Sequence, residues 1–149
     1  MRWWPWPRRS REDLGPPLAD DGSLSVLGSS FDPSRSDSAV VAELSEAGLD
    51  LERRLLVRHH LRLPGPDAVA EARRVLADEG YAVAAEPSAP AEQWQARASR
   101  AERVSGLSLA RERTRMAGLA QRLGGDATGW DLCGPPPPSG GAGAGSAGR

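Results

Sequence analysis

Apolar positions along the chain recur at two different spacings, which predict alternating helices and strands over residues 36–134. The spacing is helical from Asp37, the expected N-cap, to Gly48, which is expected to end the helix. From residue 55 to residue 63 the period changes to two, which is typical of a strand with one buried face. This first part of the domain is therefore expected to be a helix followed by a strand.

The same alternation continues to the end of the patterned region. A second helix is expected to begin at a cap on Asp67 and to end at Gly80. The later apolar periods predict a strand, a strand, a helix and a last strand, at residues 81–85, 93–98, 107–123 and 129–132. Two strand–helix–strand units in tandem predict an α+β fold of the ferredoxin-like type, β-α-β-β-α-β, preceded by an extra helix. We expect a four-stranded antiparallel sheet with the helices on one face.

Composition divides the chain into three segments. Residues 1–35 hold five of the thirteen prolines and form a leader rich in Trp, Pro and Arg, and residues 135–149 consist mainly of Pro, Gly and Ala. Neither segment has enough apolar residues to offset the entropy cost of ordering, so both are expected to be disordered. The folded domain is expected at residues 36–134.

Charge and cysteine content exclude several classes of protein. The chain has 19 Arg and no Lys against 20 acidic residues, so its net charge of −1 gives no overall attraction to nucleic acid or anionic membranes. One cysteine, Cys133, cannot form an internal disulfide or a cysteine-built zinc site. No apolar run approaches the roughly 18 residues of a membrane span, and no secretory signal is evident. A cytoplasmic location is expected.

Two adjacent histidines are the first candidates for chemistry. His59 and His60 lie on one strand and therefore point to opposite faces, so they cannot bind one metal ion together. We expect His59 to be hydrogen-bonded on the core face and His60 to be exposed or covered by the terminal helix. The sequence also lacks a nucleophile elbow, a zinc-protease motif and a phosphate loop. It predicts no enzyme activity, no metal, no cofactor and no small-molecule ligand.

The open face of the predicted sheet leaves a second function to weigh. Arg58, Arg62 and Arg97 are expected there, which suggests a nucleic-acid-binding module. RNA-binding sheets of this type stack bases on outward-facing aromatic residues, and these strands have none. Direct nucleic-acid binding is therefore the weaker expectation, beside that of an adaptor for an unrelated protein partner.

Five short motifs in order resemble the regulators of ribonuclease activity B, the RraB family. The opening helix is followed by Val57-Arg58-His59-His60 on a strand, and the chain ends its pattern with Gly129-Trp130. Ala127-Thr128 stands where that family usually has Tyr-Asp. The residues that match family motifs, expected to be structural, are His59, Gly80, Tyr81, Trp94, Gly129 and Trp130.

The resemblance implies a bacterial, non-enzymatic regulator. Members of the family bind ribonuclease E at its scaffold region, outside the catalytic domain, and alter RNA decay by protein–protein contact. Acidic residues would favour docking on an Arg-rich segment. The candidate interface residues are Glu43, Glu46, Asp50, Glu52, Asp126 and Asp131.

Overall fold

The described part of the chain folds into one five-stranded sheet with three helices. The computed structural model describes residues 18–89 and 92–136. The elements, in chain order, are β1 (Ser25–Ser30), α1 (Asp37–Glu46), β2 (Leu55–Leu63), α2 (Pro66–Ala77), β3 (Ala82–Ser88), β4 (Gln93–Glu102), α3 (Gly106–Arg122) and β5 (Asp126–Gly134). None of the helices in these two ranges combines the length and apolar character needed to cross a bilayer.

The sheet is antiparallel, with strand order β1-β5-β2-β4-β3. Its inner order β5-β2-β4-β3 is the one expected for β-α-β-β-α-β, so the α+β class is confirmed. The predicted number of four strands is wrong, because β1 adds a fifth strand along the free edge of β5.

β1 lies in the segment that the sequence analysis placed in a disordered leader. The strand is short, contains Gly28 and three serines, and is interrupted by a bulge between Val26 and Gly28. Those features remove the period of two that identifies a strand. The folded unit therefore includes residues before position 36. The remainder of the expected leader, 1–17, and of the expected tail, 137–149, lies outside the described residues.

Two of the expected helix caps are also wrong. Ser36, not Asp37, caps α1: its side chain accepts a hydrogen bond from the Ala39 N–H at 3.1 Å. α2 begins after Gly65 with proline at its first position, and Asp67 is in its first turn. Proline suits that position because its fixed φ is already helical and the N–H it lacks would have no partner.

The core lies between the helices and one face of the sheet, in two clusters. The first joins α2 and α3 to the middle of the sheet, and Trp94 packs against it. The second holds α1 against β2 and β5 through the buried residues Val40, Val41, Leu55, Val57, Val104, Leu109, Trp130 and Leu132. The second cluster fixes where α1 lies, which matters because α1 and the loop after it carry four of the six candidate interface residues.

Candidate protein-interaction site

The outer side of α1 and the loop that follows it form an acidic surface. Residues 36–52 contain five acids and no basic residue. Asp37 is buried, and the other four acids are exposed. We call these four residues the α1 acidic surface: Glu43, Glu46, Asp50 and Glu52.

Most of this negative charge is not neutralised within the domain. Glu43 pairs with Arg35, whose hydrogen bond and charge lower the pKa of the glutamate. Glu46, Asp50 and Glu52 make no ion pair with any residue in the part of the chain that the structure describes. The Asp50 carboxylate accepts the Glu52 N–H at 3.0 Å, which orders the loop. Three acids therefore face solvent on a fixed backbone.

The position of α1 depends on a buried polar contact with the sheet. Asp37 Oδ1 accepts hydrogen bonds from Trp130 Nε1 at 2.9 Å and from Arg113 Nη1 at 2.8 Å. Asp37 is 6% exposed and Trp130 is fully buried. One carboxylate thus joins the first turn of α1 to β5 and α3. The sequence analysis missed this role, although Asp37 precedes Val40 and Val41 by three and four residues and so shares their buried face.

Gly129 is required by the close approach of β1 to β5. A Cβ atom there would lie 2.4 Å from the Ser30 carbonyl oxygen and 2.4 Å from Phe31 Cδ1. Contacts that short do not occur, so any side chain at this position would push the two strands apart. Gly129 therefore allows Trp130 to lie under α1 while β1 stays paired.

The remaining two candidate acids do not lie on the α1 acidic surface. Asp131 is only 4% exposed and faces the opposite side of the sheet, where Arg58 Nε and Nη2 each donate to it at 2.7 Å. His60 Nε2 also donates to this carboxylate, at 2.9 Å. Burial alone would raise the pKa of Asp131, but the hydrogen bonds and charges of His60 and Arg58 lower it well below its usual range. Asp126 pairs with Arg62 at one end of the sheet. The structure therefore brings together four of the six candidates.

His60 also differs from its expected position. It is half-buried on the open face, where it contacts Asp131, and its ring meets Phe31 edge to face at 5.1 Å. It is neither freely exposed nor covered by the terminal helix.

The open face of the sheet carries its arginines paired with acids. We call Arg58, Arg62 and Arg97 the open-face arginines; they are within 4 Å of four carboxylates, those of Asp20, Glu86, Asp126 and Asp131. Three positive charges against four negative ones leave no net positive charge among these residues. Nucleic-acid binding relies on such a charge, so this geometry does not favour the nucleic-acid-binding alternative.

His59 is buried on the core face as expected, but its hydrogen bonding is not as expected. The residue is 2% exposed, and its Nε2 has no hydrogen-bond partner among the described residues. Burial, and then the charge of Arg100, lower the pKa of His59 to about 4. The ring is therefore neutral at physiological pH and packs edge to face against Tyr81, with 6.0 Å between centroids.

Two other residues that match family motifs are the buried Tyr81 and, directly before it, the exposed Gly80. Tyr81 is 4% exposed and donates its hydroxyl hydrogen to Glu112 at 2.9 Å, while the Arg100 guanidinium lies 4.2 Å above its ring. Gly80, at φ +85°, makes the turn from α2 into β3. In the described ranges, no three His, Cys, Asp or Glu side chains are grouped so that they could hold a metal ion.

Comparison with known proteins identifies the family. A family model described as "RraB: Regulator of ribonuclease activity B" matches residues 34–132. The chain belongs to the RraB family. The match spans α1 to β5, including the whole α1 acidic surface, whereas β1 and residues 18–24 precede it. No match was found among curated proteins or among solved structures.

Proposed function

We propose that this RraB-family protein is a non-enzymatic regulator that binds ribonuclease E through the α1 acidic surface and alters RNA decay. The family is one of regulators of ribonuclease activity. The observation that supports the site is the run of residues 36–52, with five acids, no basic residue and only one buried carboxylate.

The proposed mechanism is occupancy. The domain docks on an Arg-rich segment of the ribonuclease, outside its catalytic domain, and so changes the access of RNA or of other partners. Exposed acids contribute mainly to the rate and orientation of encounter, since surface ion pairs add only about 0–1 kcal/mol each to binding. Glu46, Asp50 and Glu52 are suited to this role, because none of them is held in an ion pair by another described residue.

The test measures binding of the full chain to ribonuclease E of the same cell and the rate at which the enzyme cleaves a natural transcript. The full chain is used because β1 belongs to the sheet, so a fragment that starts at residue 36 would lack an edge strand. We expect binding together with slower cleavage. A folded chain that neither binds nor inhibits would contradict the choice of ribonuclease E and would favour the adaptor alternative.

A matched pair of variants tests the surface. Glu46→Gln combined with Glu52→Gln removes two charges from the α1 acidic surface. Asp67→Asn combined with Asp78→Asn removes two exposed charges, one from the first turn of α2 and one from its C-cap. We expect the first pair to slow association on the order of tenfold at low salt and the second to have little effect. Equal effects of the two pairs would show that net charge, and not this surface, governs binding.

A further inference from the structure

The segment before β1 lies against the open face of the sheet and is held there by one carboxylate. Asp20 Oδ1 accepts a hydrogen bond from Arg58 Nη1 at 3.0 Å, and Asp20 Oδ2 accepts one from Arg97 Nε at 2.8 Å. Only 13% of the Asp20 side chain is exposed. We call these two arginines, which lie on β2 and β4, the Arg58–Arg97 clamp.

Among the described residues, no other hydrogen bond links residues 18–24 to the sheet. The next carboxylate, Asp21, is exposed and accepts hydrogen bonds from Ser23 in a local turn. The one backbone hydrogen bond recorded within the segment, from the Asp21 N–H to the Ala19 carbonyl, is also local. The hydrogen bonds that attach this segment to the open face therefore both run through the Asp20 carboxylate.

A shallow apolar cavity lies beside the clamp. It has a volume of about 350 Å³, and its walls include Leu18 from the segment and Leu56, Ala82 and Ala101 from the sheet. Leu18 precedes Asp20 by two residues, so the segment places an apolar side chain at the cavity and a carboxylate in the clamp. The surface thus accepts a short segment in which an apolar residue is followed, two positions later, by an acid.

The charges around the clamp favour one carboxylate over a polyanion. Without Asp20, the three open-face arginines face three remaining carboxylates, so the surface is close to neutral. A nucleic acid brings a row of phosphates and needs net positive charge. A single carboxylate needs only the two N–H groups that Asp20 uses here.

We propose that the Arg58–Arg97 clamp and the cavity beside it form a docking site for a short acidic segment of a protein partner, which residues 18–24 occupy in cis. A partner segment must displace a tethered competitor whose effective concentration is of millimolar order. Asp20 therefore keeps weak acidic ligands from binding to the clamp. The clamp becomes available when a partner segment binds more tightly than Asp20, or when the Asp20 contact is lost.

The test uses a fluorescent peptide with the sequence of residues 18–23, Leu-Ala-Asp-Asp-Gly-Ser, and fluorescence polarisation with the full chain. Asp20→Asn removes the cis carboxylate, and Asp21→Asn is the matched control because its side chain is exposed and one residue away. We expect Asp20→Asn to bind the peptide at least tenfold more tightly than the wild type, and Asp21→Asn to bind it like the wild type. A peptide with Asn as its third residue is expected to lose this binding.

A second substitution identifies the arginine partner. Arg97→Gln in the Asp20→Asn background is expected to weaken peptide binding at least tenfold, whereas Arg111→Gln, at an exposed position of α3, is expected to leave it unchanged. Peptide binding that does not improve in Asp20→Asn would overturn the proposal. Tighter binding of a single-stranded RNA oligonucleotide than of the peptide by Asp20→Asn would also overturn it and would assign this face to nucleic acid.

A measurement on the wild-type chain covers the case in which Asp20→Asn does not fold. Millimolar peptide is expected to shift the NMR signals of the Arg58 and Arg97 Nε–H groups and to leave that of Arg111 in place. Signals that do not move at saturating peptide would contradict the docking site.

Discussion

The contact between Asp37 and Trp130 gives the sharpest test of how α1 is held. Asp37→Ala removes the acceptor of the Trp130 indole N–H and of one Arg113 N–H, in a place where only 6% of Asp37 is exposed. Leaving a buried donor unpaired costs about 1–3 kcal/mol, and losing a hydrogen bond to a charged group costs about 1.5–3 kcal/mol. We therefore expect Asp37→Ala to lower the free energy of unfolding by about 4 kcal/mol.

Urea unfolding, followed by circular dichroism, measures this loss. With a slope of about 1.5–2 kcal/mol per molar urea, the midpoint is expected to fall by about 2 M. Asp37→Asn keeps an acceptor for the indole N–H and is expected to cost only about 1–2 kcal/mol, since it loses the charge alone. Asp67→Ala is the control, because Asp67 is also in the first turn of a helix but is exposed.

A loss below about 1 kcal/mol in Asp37→Ala would refute the reasoning. It would mean that water replaces the carboxylate, and that α1 is held by its apolar contacts with the second core cluster alone. A large loss would also make binding to ribonuclease E sensitive to this substitution, because the α1 acidic surface takes its position from the same contact.

Three further predictions concern the sheet. Gly129→Ala is expected to destabilise the chain by at least about 2 kcal/mol in urea unfolding, because the added Cβ would lie 2.4 Å from the Ser30 carbonyl oxygen. A variant as stable as the wild type would show that β1 can move away from β5 at little energetic cost. The pKa of His59 is lowered to about 4, mainly by burial, so its contribution to stability is complete above pH 6.5 and is lost as the pH falls through 4. Urea unfolding at a series of pH values is expected to show that the free energy of unfolding of the wild type falls by about 3 kcal/mol between pH 6.5 and pH 4, and that His59→Gln lacks this decrease. The same pH dependence in both proteins would refute the prediction. Cys133 is 2% exposed, and burial raises the pKa of its thiol to about 12. A thiol reagent such as a maleimide is therefore expected to label Cys133 only as fast as the protein unfolds. Rapid labelling of the native chain would contradict the placement of β5.

Much of the fold could be predicted from the sequence because the information is local. The period of two over residues 55–63 alone defines which side of β2 is buried, and the structure confirms the buried face of His59 and Leu61. The order of the inner four strands follows from the element order of the ferredoxin-like fold. β1 could not be predicted in this way, because a six-residue strand with a bulge has too few alternating positions to show a period.

The polar contacts that position the candidate site could not be predicted from local sequence, because they join residues that are far apart along the chain. Asp37 and Trp130 are 93 residues apart in the sequence, and Asp20 and Arg97 are 77 apart. Periodicity shows which face a residue is on but not which distant residue it meets. The position of Asp37 on an apolar helix face does indicate a buried partner, whereas nothing local distinguishes Asp20 from Asp21.

The charge of the surface also depends on which residues the fold brings together, and so it cannot be read from a count of charged residues. A count of charged residues over the chain gives −1, which suggests no strong electrostatic surface. Folding pairs the open-face arginines with acids from several segments, and those acids include Asp20, Asp126 and Asp131. Within the ranges that the structure describes, Glu46, Asp50 and Glu52 of α1 and its loop make no ion pair, so their charges remain available to a partner. The charge available to a partner is therefore what is left after internal pairing, and it follows from the fold and not from composition.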